Sequence, residues 1–217
     1  MTTPTPITIR LPSKYTSSSS TTPPTTTTTP FTPPPLTFLH RTWTVTHSTL
    51  RMWRSARNVR ITYGPLPPLT SSSSSASAPR DRVSDLVEYE SLSGNGKLKR
   101  IAGVDTATFA GGDTSVWDWR GSGLLFFVGS HWEVLGWGER ELDDAVVERW
   151  VVTWFAPTVF TAEGLDIYSD RREGASEGLV EEVLKALGRV TEGKGRLGEM
   201  VVKDMREVAV QLPWKET

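Results

Sequence analysis

The sequence has no cysteine. A disulfide framework, a thiolate metal site and a cysteine nucleophile are therefore excluded, and the composition fits a reducing compartment. Histidine is scarce, three in 217 residues. Neither HExxH nor a His/Asp/Glu cluster at ligand spacing occurs, so no metal site is expected. A GxSxG elbow, a phosphate loop and a dinucleotide fingerprint are missing too, since GSGLLFFVG at 121–129 lacks the strand–turn–helix setting those need. No run of 18 apolar residues exists, and no membrane span is expected. The N-terminus lacks the apolar core of a signal peptide. It is Ser/Thr-rich like an organelle transit peptide, but Arg10 and Lys14 are the only bases in its first 35 residues. A cytoplasmic location is the default.

Acids are absent from residues 1–80, which carry eight bases: Arg10, Lys14, Arg41, Arg51, Arg54, Arg57, Arg60 and Arg80. The remainder holds the other 16 bases and all 25 acids, so a net charge of −1 conceals two halves of opposite sign. The early bases are spaced through strand and loop rather than gathered on a helix. Pairing with acids of later strands is the favoured reading, and no nucleic-acid partner is expected.

What is present is tryptophan, nine in all, six of them between residues 113 and 155. Trp117 and Trp119 are two apart, Trp132 is followed by Val134 and Gly136, and Trp150, Val152 and Trp154 alternate with Arg149, Val151 and Thr153. A spacing of two puts side chains on one face of a strand. With glycine-rich breaks and a charged loop at 139–146, this stretch reads as an antiparallel meander with one aromatic face.

Residues 1–35, almost wholly Thr, Ser and Pro, offer too little apolar surface to offset the entropy of ordering and are expected to lack structure. In LTFLHRTWTVTHS, from Leu36, Trp43, Val45 and His47 share one face of a first strand. A turn or short helical piece at 48–57 and a second strand, NVRITY, follow, stopped by GPLPP. Residues 69–80 are a flexible insertion by composition. RVSDLVEYESL and KLKRIAGVDTATFA are paired strands around SGNG at 93–96, and residues 156–169 supply one or two closing strands. From Ser176 the period changes: Leu179, Val180, Val183, Leu184 and Leu187 define an amphipathic helix with Ser176 as its N-cap. A second helix follows at RLGEMVVKDMREV.

The expected fold is mainly β, an antiparallel up-and-down barrel of 8–10 strands with one or two C-terminal helices. The expected domains are a tail at 1–35, a barrel at 36–190 interrupted at 69–80, and a helical extension at 191–217. Closure removes exposed sheet edges, and eight to ten strands leave room for side chains and one small ligand.

The order of elements and LHRTWTVTH at 39–47 resemble the calycin superfamily of lipocalins, fatty-acid-binding proteins and nitrobindin-like haem barrels. In lipocalins a Gly-x-Trp places the Trp across the closed end; the equivalent here is Trp43, with Arg41 where the glycine stands. The resemblance implies a small apolar or amphipathic ligand. The expected function is binding of a small hydrophobic or aromatic molecule in the barrel, without a cofactor. Alternatives are a barrel enzyme of isomerase, dehydratase or decarboxylase type using His47 as general acid/base, and a haem barrel using His47 or His131 as axial ligand.

Candidate lining residues are Trp43, His47, Tyr89, Trp117, Trp119, Trp132, Trp150 and Trp154, where indole rings can stack on a planar ligand. Arg54, Arg60 and Tyr63 are candidates for an anionic head group, because the arginine fork matches a carboxylate. Arg60 alternates with Val59, Ile61 and Tyr63, so either the apolar face or the arginine face lines the cavity. Of the carboxylates Asp85, Glu88, Glu90, Asp105, Asp118 and Glu133, an inward one would have a raised pKa; the pattern selects none.

Overall fold

The computed structural model describes residues 7–16, 30–70, 78–142 and 146–216. Eight strands, β1 (Thr42–Ser48), β2 (Ala56–Leu69), β3 (Arg80–Ser91), β4 (Lys99–Ala107), β5 (Val116–Gly121), β6 (Gly129–Glu141), β7 (Val147–Phe155) and β8 (Gly164–Ser169), pair antiparallel in sequence order. β1 pairs with both β8 and β2 and so closes the barrel. A short β9 (Arg206–Glu207) adds to β1. The helices are α1 (Leu36–Leu39), α2 (Glu177–Thr191) and α3 (Arg196–Lys203). Among the described residues no helix is long and apolar enough to cross a membrane.

The barrel has two apolar faces. Inside, Trp43, Val45, Val59, Ile61, Tyr63, Val83, Trp117 and Trp132 form one buried cluster, plugged at the end where β1 begins by Phe38 and Leu39 of α1. Trp43 packs on Phe38 at 5.6 Å and donates from Nε1 to Leu39 O at 3.1 Å, which places it at the closed end as the lipocalin-like pattern implied. Outside, Leu135, Trp150, Val152, Trp154, Leu165 and Ile167 form a second cluster beneath α2 and α3. The α2 side chains that bury are Leu179, Val183, Ala186 and Leu187, on one stripe of the helix.

Residues 7–16, expected to lack structure, lie on this outer face. Ile7, Ile9 and Leu11 alternate as in a strand, and with Tyr15 they pack on the outer cluster. Arg10 bridges to the buried Glu133 at 2.8 Å, and Ser13 donates to the same carboxylate from its backbone N and its hydroxyl. Tyr15 and Trp154 both donate to Glu163, at 2.8 and 3.0 Å. A few apolar residues in period two, Ile7, Ile9 and Leu11, are enough to dock this short segment on the outer cluster. Residues 1–6, 17–29 and 71–77, with most of the expected tail and insertion, fall outside the described residues.

Two further departures have local causes. β2 does not stop at GPLPP: it pairs with β3 through Leu69, and because β1 engages it only at Arg60 to Thr62, the prolines sit where no ladder donor is needed. The second C-terminal helix ends at Lys203, after which residues 204–216 return along β1 and β2. Asn58, with φ of 52°, forms a bulge whose amide donates to Gln211 O and Glu90 while its Oδ1 accepts from Gln211 N. The early arginines pair with later acids as the favoured reading held, through Arg10–Glu133, Arg41–Asp170, Arg57–Glu90 and Arg60–Glu88.

Candidate functional site

Residues directly opposed across antiparallel strands point to the same side, so the register assigns each candidate a face. Tyr63 opposes Asp85, Asp105 opposes Trp119, Trp117 opposes Trp132, and Asp166 opposes Thr153. All of these point inward. Together they surround an interior cavity of about 150 Å³, lined by Leu50, Ile61, Tyr63, Asp85, Trp119, Ser130, Trp132, Thr153, Phe155, Thr161, Asp166 and Tyr168. Leu50 and Thr161 lie in the β1–β2 and β7–β8 connections, so the cavity sits toward that end. Outside it, a wider cleft of about 530 Å³ between the β1–β2 turn and α3 shares those two residues. Of its charged groups, Glu163, Arg196, Glu199 and Lys203 pair with one another or with Lys14, and Arg51 and Asp204 also line it.

One wall of the cavity is aromatic. Tyr63, Trp132 and Trp117 form a stack with ring centres 5.7 and 5.8 Å apart and planes within 14°. Trp119 lies flat across β4 because residue 103 is glycine: a Cβ there would stand 2.2 Å from Trp119 Nε1 and 2.7 Å from Arg120 O. The other wall is acidic. Asp85 and Asp166 line the cavity, and Asp105, fully buried, accepts from Trp132 Nε1 at 2.7 Å. Asp85 Oδ1, Asp105 Oδ2, Asp166 Oδ1 and Thr153 Oγ1 are buried without a hydrogen-bond partner. Trp119 Nε1–H eases the charge on Asp85 but closes no hydrogen bond.

Among the described residues no cation pairs with these acids, and burial decides their protonation. Asp166 is pushed from 3.8 up to about 7 by desolvation, eased by the Ser48 hydroxyl. Asp85 and Asp105 are both raised, first by desolvation, and Asp85 further by the charge of Asp105. Burial raises Tyr63 and Tyr168 as well, with the neighbouring carboxylates adding to it, so both phenols stay neutral.

The structure brings together Tyr63, Trp117, Trp119 and Trp132 of the expected residues, with Trp43 at the closed end. Tyr89 is inward at the opposite end, 5.2 Å from Trp53. The others lie elsewhere. His47 is outside: β1 has a bulge between Val45 and His47, so His47 opposes Ile167 of the outer cluster and Glu207 of β9, and alternation from Trp43 fails by one residue. Trp150 and Trp154 keep their shared face, but it is the outer one beneath the helices. Arg60 pairs with Glu88 at 3.0 Å and stacks on Trp214 at 5.0 Å, also outside, so the apolar face of β2 lines the interior. Arg54 donates to Ser48 O at 3.1 Å in the turn before β2. His131 pairs outside with Asp118, and Glu133 is outside under the N-terminal segment.

Of the three histidines, His40 follows α1 and His47 and His131 lie outside the barrel, while a volume of about 150 Å³ is that of a benzene-sized body. Among the described residues no three His, Asp or Glu side chains are arranged to hold a metal ion.

Sequence reasoning named Asp85 and Asp105 without selecting them and missed Asp166, Thr153 and Phe155. The signal for Asp85 was its register: it shares a two-residue period with Val83, Val87 and Tyr89, an acid among apolar neighbours.

No protein-family model matches the chain, and no curated protein matches it. In backbone course it is similar to lobster apocrustacyanin A1, at 9% identity over 82% of this chain and 80% of that chain, with a TM-score of 0.47. It is also similar to apocrustacyanin C1, at 11% identity over 81% and 79%, with a TM-score of 0.44. The closed eight-stranded antiparallel barrel that the calycin resemblance implied is present in the strand pairing itself.

Proposed function

We propose that the barrel binds a small, ring-bearing molecule in its interior. The observation that carries this reading is the cavity itself: about 150 Å³, walled by Tyr63, Trp119, Trp132 and Phe155, with buried polar atoms that have no partner in the protein. Native interiors rarely leave such atoms unpaired, and their convergence on one hollow favours an occupant. A cavity of this size holds a body of about one aromatic ring. That narrows the expectation of a general hydrophobic ligand to a compact amphipathic one.

Tryptophan fluorescence tests it, since Trp119 and Trp132 line the cavity. Titration with small aromatic alcohols, acids, amines and ketones should quench or shift the emission with at least one class. Ser130→Leu, which fills the cavity, should abolish the response. A folded protein silent to every class, or a response that Ser130→Leu leaves intact, removes the reading.

An enzyme in the same cavity is a second reading, favoured by one observation: two buried carboxyls, Asp85 and Asp105, lie side by side, both raised by desolvation and Asp85 further by the charge of Asp105, so that one can hold a proton while the other gives it up. The acid/base role assigned to His47 would pass to this pair. Here Asp105→Asn abolishes turnover of an isomerised or dehydrated substrate while binding persists; loss of both together supports the binding protein.

A further inference from the structure

We infer that the interior cavity takes a compact organic cation, a small aromatic or short-chain amine bound as its ammonium ion, with Asp85 and Asp166 as counter-ions. This rests on the binding function proposed above and names the class of ligand.

The lining contains carboxyl groups and no lysine, arginine or histidine. Asp105 and Asp166 are 0% and 4% exposed, and the arginines that could have neutralised them are engaged outside the barrel. A buried acid without a cation or a full set of donors is costly, and proteins usually pair or remove it. The unpartnered atoms at the hollow are carboxyl oxygens of Asp85, Asp105 and Asp166, the Thr153 hydroxyl and one donor, Trp119 Nε1, so acceptors outnumber donors. Thr153, 1% exposed and lining the same hollow, is a partnerless polar side chain outside the carboxyl cluster. An ammonium group brings three donors and one positive charge. The rings of Trp119, Trp132, Tyr63 and Phe155 supply faces for its apolar body and for cation–π attraction. Because no group of three acidic side chains is placed to hold a metal ion among the described residues, an organic cation fits better than an inorganic one.

Burial leaves these carboxyls protonated in the empty barrel more often than free aspartates. An entering ammonium ion therefore shifts a carboxyl to carboxylate and sends its proton to solvent. The titratable groups lining the cavity are Asp85, Asp166 and the neutral phenols of Tyr63 and Tyr168, with Asp105 buried beside Trp132, so proton release is the only charge change expected on the protein side.

Benzylamine, benzyl alcohol and benzoate have nearly one shape and charges of +1, 0 and −1, and test this directly on the full chain by calorimetry in phosphate. Benzylamine should bind about tenfold or more tightly than benzyl alcohol, as expected of a charge-assisted pair, and benzoate most weakly. Benzylamine affinity should rise between about pH 5.5 and about pH 8, with protons released on binding, while the alcohol is indifferent to pH. Asp85→Asn and Asp166→Asn should each weaken benzylamine about tenfold and leave benzyl alcohol unchanged. Equal binding of amine and alcohol, preference for benzoate, or an amine affinity flat with pH overturns the inference while leaving a ligand cavity in place. Silence toward all three probes and toward the wider panel overturns both.

Discussion

Replacing Asp166 by asparagine is expected to make the empty protein more stable at neutral pH and no more stable in acid. Asp166 is 4% exposed, its Oδ1 has no partner, and its pKa rises from 3.8 to about 7 on folding. The folded state thus holds the proton more tightly than the unfolded chain. The stability this provides is complete below about pH 4, declines as pH rises, and is lost above about pH 7, where the folded protein must carry a buried charge. At about 1.4 kcal/mol per pH unit the whole interval is worth about 4 kcal/mol, and local relaxation and a higher effective dielectric reduce this to about 2 to 3 kcal/mol. Asparagine keeps the shape and removes the ionisation, but its amide needs an acceptor, a cost of about 1 kcal/mol that is the same at every pH. The difference between acid and neutral pH therefore isolates the charge. Urea unfolding followed by tryptophan fluorescence at about pH 4.5 and about pH 8 should show the variant gaining about 2 to 3 kcal/mol relative to wild type, a midpoint shift on the order of 1 M. Phosphate is needed instead of Tris, itself a primary amine. Wild type and variant changing stability in parallel across that range would show that Asp166 titrates as an ordinary carboxyl, and the account of a dry acidic cavity would be wrong.

Other substitutions probe the frame around the cavity. Gly103→Ala should destabilise by about 1 to 3 kcal/mol and abolish ligand-induced fluorescence changes, because its Cβ displaces Trp119; near-wild-type melting and binding would count against the close packing described. Glu133→Gln should free the N-terminal segment, and brief trypsin treatment should then cut after Arg10 and Lys14 faster than in wild type, since Arg10 and Ser13 both hold this carboxylate. Asn58→Ala should cost about 2 to 3 kcal/mol through a left-handed backbone and lost bonds to residues 209–216, with Asn58→Gly recovering about 1 kcal/mol of it; chemical denaturation compares the two. His47→Ala should leave benzylamine affinity within about twofold, as expected of a residue outside the barrel.

The fold was legible because its determinants are periodic. Alternation in Trp117–Trp119 and Trp150–Trp154, the break at 93–96 and the change of period at Ser176 each depend on a few neighbouring residues, and together they specify a meander followed by a helix. What the sequence did not carry was which side of each strand is the inside. β7 is apolar on both phases, Val151 and Phe155 facing the cavity side while Trp150, Val152 and Trp154 face the helices. Only distant segments, α2, α3 and residues 7–16, make the second phase a buried one, and no local pattern announces where a distant segment will dock. His47 was misplaced for a different reason: a single bulge in β1 reverses every face beyond it.

The site was partly legible for the same reason. On β3 the outer phase, Ser84, Leu86, Glu88 and Glu90, is mixed and polar, so Asp85 stands out among Val83, Val87 and Tyr89 without knowledge of the fold; Asp105 stands likewise with Ile101, Gly103 and Ala107. The same sign on β7 leads to Glu148, in phase with Trp150 and Val152. That carboxylate is fully buried as well, yet it is outside and satisfied, accepting from Ser176 N at 2.7 Å and Ser176 Oγ at 2.6 Å where α2 begins. An acid in an apolar phase therefore marks a buried charge, and its partners decide what the burial is for. Glu148 anchors a helix because its acceptors are filled from within the chain. Asp85, Asp105 and Asp166 keep unfilled acceptors beside a hollow, and that difference, visible only once distant strands are brought together, separates a carboxylate satisfied within the chain from one left with open acceptors at a cavity.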